Sequence, residues 1–133
     1  MKKIIIFTLL IVPFLTGQTL ESVVGGKHRS VKNKARDQYR NPLETLNFFG
    51  IKNDMIVVEL NPGGGWYQEI LAPFLKDNGK YVTATYDPDS KSEYRLNSYK
   101  AEMKRLKADK KLYGTPQVVS LSDGVYGEKE SAD

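Results

Sequence analysis

The apolar and polar positions of this chain alternate between strand-like runs and helix-like runs. Apolar, β-branched runs begin at Met55, Lys80 and Gln117, and each run ends in a turn rich in glycine or polar residues. Between these runs, apolar residues recur every three or four positions, which is the spacing of an amphipathic helix. Strands that alternate with helices predict an α/β fold with a mostly parallel sheet.

The run over residues 55–60 suits a strand buried on both faces, and it breaks at Asn61. Three glycines at 63–65 follow, and a helical pattern begins at Trp66. Such a turn lies at the carboxyl end of its strand, where open α/β sheets bind ligands. Glu59 lies inside the apolar run, and a buried carboxylate is costly without a partner. A loose loop also explains three glycines, but the position and Glu59 favour a ligand site.

The glycine spacing distinguishes between nucleotide ligands. A dinucleotide site has Gly-x-Gly-x-x-Gly, and here Gly63 and Gly65 are followed by Gln68 at the third place. A nucleotide-binding oxidoreductase is therefore disfavoured. The order acidic-x-x-x-Gly-x-Gly, which begins at Glu59, instead resembles the first motif of class I S-adenosylmethionine-dependent methyltransferases. Asn61 stands at the first glycine of that motif, and Asn tolerates unusual backbone angles.

A second resemblance covers residues 36–50 and 59–67, which are similar to a family of exported, methyltransferase-like bacterial proteins. The similarity runs from about residue 35 to the end. It implies a Rossmann-like three-layer sandwich with about three strands present, and S-adenosylmethionine as the cofactor. By this resemblance Glu59 pairs with the methionine ammonium, while Asn61, Gly63, Gly64 and Gly65 lie against the methionine part.

The ends of the next two strands carry acidic residues. The resemblance implies that Asp87 binds the ribose hydroxyls, although Asp87 also begins a favourable turn sequence, and both interpretations stay open. It implies that Asp123 approaches the adenine amino group, with turn formation as the plainer explanation. Trp66 and Tyr67 either line the cofactor pocket or pack in the core. Neither a catalytic residue nor the methyl acceptor can be named from the sequence.

Two capping boxes and one proline predict helix boundaries. Asn41 with Glu44, and Ser90 with Glu93, match the pattern of a capping side chain followed by an acidic residue three positions later. Pro73 lies within the helix that follows the glycine turn and predicts a kink or a break there.

The N-terminus predicts export. Lys2 and Lys3 precede an apolar run over residues 4–15, and small residues follow, which is typical of a signal peptide over residues 1–18. The run is short for a membrane span, so we expect a periplasmic or extracellular protein without a stable membrane anchor after cleavage. An uncleaved N-terminal anchor is the alternative.

Residues 19–40 predict a basic, weakly ordered lead segment, with six Lys or Arg against Asp37 between residues 27 and 40. It is either solvated or in contact with an anionic surface. His28, the only histidine, is predicted to lie at the surface. The net charge is +4 and falls to +2 without Lys2 and Lys3, which is too weak to indicate nucleic acid.

Cysteine is absent, which excludes disulfides, thiol catalysis and cysteine metal sites, and no metal site is predicted. Residues 41–133 predict the N-terminal, cofactor-binding part of a methyltransferase-like domain, which stops after its third strand. A sheet that ends there exposes an edge through which copies can self-associate. The alternative function is a catalytically inactive Rossmann-like fragment, which acts as a binding module or as half of a split gene.

Overall fold

The protein is described by a computed structural model over residues 18–123. The predicted signal peptide lies outside these residues, except for its last residue. Within them, no helix is both long enough and apolar enough to cross a membrane. The elements are α1 (Leu20–Val24), α2 (Val31–Lys34), α3 (Asp37–Arg40), α4 (Pro42–Phe48), β1 (Ile56–Leu60), α5 (Gln68–Leu75), β2 (Lys80–Thr85), α6 (Glu93–Ala108), α7 (Lys110–Tyr113), β3 (Gln117–Ser120) and a 3₁₀ turn (Leu121–Asp123).

The three strands form one parallel sheet in the order β1-β2-β3, which confirms the predicted α/β class. Glu59 pairs with Thr83, and Thr83 pairs with Val118, so these residues share one face of the sheet. The strand buried on both faces is β2, from Tyr81 to its end. The prediction of that burial for β1 was wrong, because β1 is only partly buried and Leu60 is 59% exposed.

Helices α5 and α6 cover the face of the sheet that carries Thr83. Gln68 of α5 and the Thr83 hydroxyl both donate a hydrogen bond to Glu102 of α6, which fixes the two helices on the same side. The main apolar core lies between α5, α1 and α4. Its buried members are Leu20, Val23, Leu46, Ile70, Leu71, Ala72, Phe74, Leu75 and Tyr81.

Pro73 does not break α5, which runs through it as one element. Proline has no N–H, so the carbonyl of Glu69 four residues earlier loses its helical donor. The His28 ring replaces that donor, with Nε2 lying 2.8 Å from the Glu69 carbonyl oxygen. Since a carbonyl only accepts, Nε2 carries the hydrogen. His28 is half-buried and anchors its segment to α5, which corrects the prediction of a surface histidine.

The segment over residues 19–40 is folded, which corrects the prediction of a weakly ordered lead. Leu20 and Val23 are buried in the core, and the Ser30 N–H donates to the Glu69 carboxylate at 3.1 Å. Arg29 is buried and pairs with Asp37 through bonds of 2.6 and 2.9 Å. The basic composition did not indicate this packing, because the apolar core and Glu69 of α5 are distant in sequence from the segment.

The predicted helices after Asn41 and Ser90 are present, but their caps differ from the prediction. Asn41 takes a left-handed conformation with φ 43° and makes no side-chain cap. Ser92 precedes α6, and it too makes no side-chain cap. The Ser90 hydroxyl instead accepts from the Ser92 N–H at 3.3 Å, within the turn that leads into the helix.

Candidate functional site

The glycine turn lies at the carboxyl end of β1 and uses three left-handed residues. Asn61, Gly63 and Gly65 have φ values of 50°, 53° and 76°. The left-handed conformation of Asn61 agrees with the tolerance of asparagine for unusual backbone angles. The Asn61 N–H donates to the Ala84 carbonyl at 2.7 Å. This bond joins the turn to the neighbouring strand β2 near the carboxyl ends of both strands.

One side of this turn is filled by the chain itself. Arg105 donates from Nη2 to the Gly63 carbonyl at 2.6 Å and from Nε to the Gln68 amide oxygen at 3.2 Å. A Cβ at Gly65 would lie 2.8 Å from Arg105 Nε, so the close approach of Arg105 requires glycine there. Gly65 thus adjoins Arg105 on this side of the turn, and its contact with a cofactor stays a prediction.

The hydrogen-bond network continues from Arg105 to the buried side chains of Gln68, Glu102 and Thr83. Gln68 Nε2 donates to Glu102 Oε1 at 3.2 Å, and the Thr83 hydroxyl donates to the same oxygen. All three side chains are nearly inaccessible to water. We refer to Gly65, Gln68, Thr83, Glu102 and Arg105 as the closed side of the turn.

The other side of the turn borders a cleft of about 370 Å³. A Cβ at Gly64 would meet no atom within 4 Å, and at Gly63 the nearest atom is the Asn61 carbonyl oxygen at 3.8 Å. The backbone is therefore accessible to a ligand. We refer to the residues that line this cleft as the open side: Arg36, Arg40, Glu59, Leu60, Asn61, Pro62, Gly63, Gly64, Trp66 and Tyr67.

Glu59 gives the open side its titratable group. Its Oε2 accepts a hydrogen bond from the Tyr81 hydroxyl at 2.6 Å. Burial raises the pKa of Glu59 to about 7, although the bond from Tyr81 opposes that rise. Burial and the neighbouring Glu59 likewise raise the pKa of Tyr81, so Tyr81 remains the donor. Near neutral pH the carboxyl group is therefore divided between its neutral and charged forms.

Trp66 forms the wall between the cleft and the N-terminal helices. It is buried, and its indole N–H lies 3.0 Å from both the Asn33 carbonyl and Asp37 Oδ1. The Arg40 guanidinium lies 4.9 Å from its ring centroid, within cation–π range. Tyr67 packs edge-on against it at 4.4 Å. These aromatic residues pack into the fold and also line the cleft, whose use as a cofactor pocket stays a prediction.

A second cleft of about 220 Å³ lies at the ends of β2 and β3. Asp87 Oδ1 accepts from the Asp89 N–H at 2.7 Å, which confirms its role in a turn. Asp87 Oδ2 accepts from the Ser122 hydroxyl at 3.1 Å, so the residue also joins two strand ends. The second cleft is lined by Tyr86, Asp87, Ser90, Arg95, Leu121 and Ser122.

A hydrogen bond stands between the two clefts. The Asn61 amide lies 3.3 Å from the Tyr86 hydroxyl, and these residues line the first and the second cleft respectively. The structure thus brings Glu59 and Asn61 together with Gly63 and Gly64, but it places Asp87 in a separate cleft.

Asp123 ends the 3₁₀ turn that follows β3, so its backbone stands at the same edge of the sheet as Asp87. Arg36 and Arg40 also line the first cleft, although nothing in the sequence assigned them to it. Their basic segment was visible in the sequence, but no spacing connects it to the glycine turn.

Comparisons of the chain with protein-family models, curated proteins and solved structures return no match.

Proposed function

We propose that this chain is the cofactor-binding part of a Rossmann-like, S-adenosylmethionine-dependent methyltransferase. The observation that carries the proposal is the open side of the glycine turn, where accessible backbone at Gly63 and Gly64 adjoins the half-buried carboxyl of Glu59. A parallel sheet presents such a site at the carboxyl ends of its strands, which is the usual place for ligands in this architecture.

The residues of the open side fit the amino-acid end of this cofactor. In its charged form Glu59 pairs with an ammonium group, and Gly63 and Gly64 let the methionine chain lie against the backbone. When bound, S-adenosylmethionine supplies an activated methyl group, so the protein contributes mainly by orienting the reacting groups. Asp87 and Asp123 serve the nucleoside end from the neighbouring strand ends.

The nucleoside end requires a local rearrangement. The contact between Asn61 and Tyr86 separates Glu59 from Asp87, so one ligand reaches both carboxylates only if the Tyr86 side chain turns away. Tyr86 is only partly buried, and its ring contacts Tyr94 and Arg95. Tyr86→Phe removes the hydrogen bond and keeps the ring. We expect this variant to bind the cofactor slightly more tightly than the natural chain.

Calorimetric titration of S-adenosylmethionine into the full chain tests the proposal. Binding should be measurable above pH 7, where Glu59 is charged, and Glu59→Gln should abolish it because the neutral amide offers no charge to an ammonium. Glu44→Gln, a change at an exposed glutamate outside the cleft, should leave binding unchanged. Absence of heat with the natural chain, or equal affinity in Glu59→Gln, would refute the proposed function.

The contact between Asn61 and Tyr86 also favours a second candidate, a non-catalytic Rossmann-like module or half of a split protein. In that case the two clefts stay separate and the first one binds only a small ligand. Methionine and S-adenosylmethionine would then bind with equal affinity, because the nucleoside would add no contact. A methyltransferase site should favour S-adenosylmethionine over methionine by about tenfold or more, as expected for additional polar contacts.

A further inference from the structure

We infer that the methyl acceptor of this site carries an anionic group, a carboxylate or a phosphate, which Arg36 and Arg40 bind at the rim of the first cleft. The identity of the bound anion as a methyl acceptor rests on the proposed function, whereas the anion site itself rests on the residues of the cleft. The anionic group is the part by which the acceptor is recognised, and no bond changes at it.

The arginines of this segment differ in their partners. The Arg29 guanidinium is buried and neutralised by the Asp37 carboxylate, which is the only ion pair among residues 18–123 whose geometry the structure defines. Arg36 and Arg40 have no such carboxylate in the described chain, yet both border the cleft. The segment thus neutralises one guanidinium internally and presents two others to whatever enters the cleft.

The placement of Arg40 is defined by packing. Its guanidinium lies 4.9 Å from the centroid of the Trp66 ring, which is fixed in turn by two hydrogen bonds from its indole N–H. A guanidinium in a cation–π contact keeps N–H donors that can bind other groups, and these match the oxygens of a carboxylate or a phosphate. The contact with Trp66 therefore places the Arg40 guanidinium at the cleft, where it can meet an anion.

The electrostatics of the cleft separate two tasks. Glu59 is the only acidic residue among those that line it, and burial together with the Tyr81 bond holds that carboxyl at the sheet. Arg36 and Arg40 belong instead to the N-terminal segment, and they line the cleft together with Trp66. We therefore assign a ligand ammonium to Glu59 and a second, anionic molecule to the arginines, whose opposite charges border the same cleft from different elements.

The test uses the full chain and two anionic probes, inorganic phosphate and benzoate, followed by amide chemical shifts without cofactor. The variant Arg36→Gln/Arg40→Gln should weaken binding of a probe by about tenfold or more, since hydrogen bonds to charged groups are strong. Its matched control is Lys27→Gln/Lys32→Gln, which removes the same charge from exposed residues of the same segment outside the cleft. The control should stay within about twofold and should account for general screening.

The results separate this inference from the proposed function. Equal probe affinities in the arginine variant and the lysine control would overturn the anion site, whether or not S-adenosylmethionine binds. If the arginine variant loses S-adenosylmethionine and phosphate competes with that cofactor, the arginines hold the cofactor carboxylate and the acceptor assignment is overturned. Retained cofactor binding together with loss of the probes supports the inference.

Discussion

The two sides of the glycine turn differ in where their polar groups find partners. On the closed side, Gln68, Thr83, Glu102 and Arg105 are bonded to one another or to the turn, and all of them except Arg105 are buried. On the open side, Glu59 has one internal donor and faces a cleft. Glu59 of β1 and Glu102 of α6 thus have different uses, although both carboxylates bond to side chains of β2. Changes on the closed side should cost stability, and changes on the open side should cost binding.

The largest effect is expected at Glu102. Glu102→Ala removes the acceptor of both Gln68 and Thr83 and leaves two buried donors unpaired, which should lower the free energy of unfolding by about 3 kcal/mol. Urea denaturation measures the loss, with exposed Glu93→Ala as the control within about 0.5 kcal/mol. A loss at Glu102 no greater than at Glu93 would contradict the description of the closed side.

Glu59 should instead make stability depend on pH. Its pKa is about 7 in the folded chain against an ordinary 4.5, so the folded state binds the proton more tightly. The stabilisation is complete below pH 4.5 and is lost as pH rises through 7, with a total on the order of 2–3 kcal/mol. Glu59→Gln should remove this dependence and should be more stable than the natural chain at about pH 8.

Urea titrations of both proteins across this range measure the difference. A carboxyl group that lowers stability at neutral pH is expected at a functional site, since function and not folding then accounts for its charge. If the natural chain and Glu59→Gln show the same pH dependence, the protonation assigned to Glu59 is wrong.

Paired glycine substitutions compare the two sides within one turn. Gly65→Ala should cost about 1–2 kcal/mol, because Gly65 is left-handed and its Cβ would meet Arg105. Gly64→Ala should change stability by less than about 0.5 kcal/mol and should weaken cofactor binding, because the added methyl group enters open space beside the cleft. If thermal unfolding shows the larger loss of stability for Gly64→Ala, and titration shows weaker cofactor binding for Gly65→Ala, the assignment of the two sides is wrong.

The smallest effect concerns the anchor of the segment that bears Arg36 and Arg40. His28→Ala should cost about 1 kcal/mol, because the Glu69 carbonyl then loses its donor. In a Pro73→Ala background the new N–H serves that carbonyl, so His28→Ala should cost less, with a coupling energy of about 1 kcal/mol in a double-mutant cycle. Additive effects would show that His28 does not compensate for Pro73.

The strands and the glycine turn could be predicted because their signals are local. β-branched runs, Asn61 and the glycines each determine backbone conformation within a few residues. The first cleft could not be predicted in full, because Arg36 and Arg40 belong to a segment that His28 and Ser30 join to Glu69, far away in sequence. The bond of His28 goes to a carbonyl freed by a proline, which no periodicity reveals.

Glu59 is predicted as a site residue from its place in an apolar run before the glycine turn and from the motif resemblance, and the structure adds its partner Tyr81 and the cleft. Gln68 shows the opposite case. In the sequence it only marks the absence of the third glycine of a dinucleotide site, whereas in the structure it is buried and joins Glu102 to Arg105. A polar residue at a glycine position of a nucleotide-binding motif can thus take part in a buried hydrogen-bond network, besides marking the loss of a ligand contact.

The most direct test of the open side is a carbon NMR titration of the Glu59 carboxyl group in the full chain, with and without saturating S-adenosylmethionine. We predict a pKa of about 7 in the free protein, and a decrease of about one unit or more when a ligand ammonium pairs with the charged form. A Glu59 pKa that does not change on addition of the cofactor would contradict the central claim that this carboxylate binds the ligand.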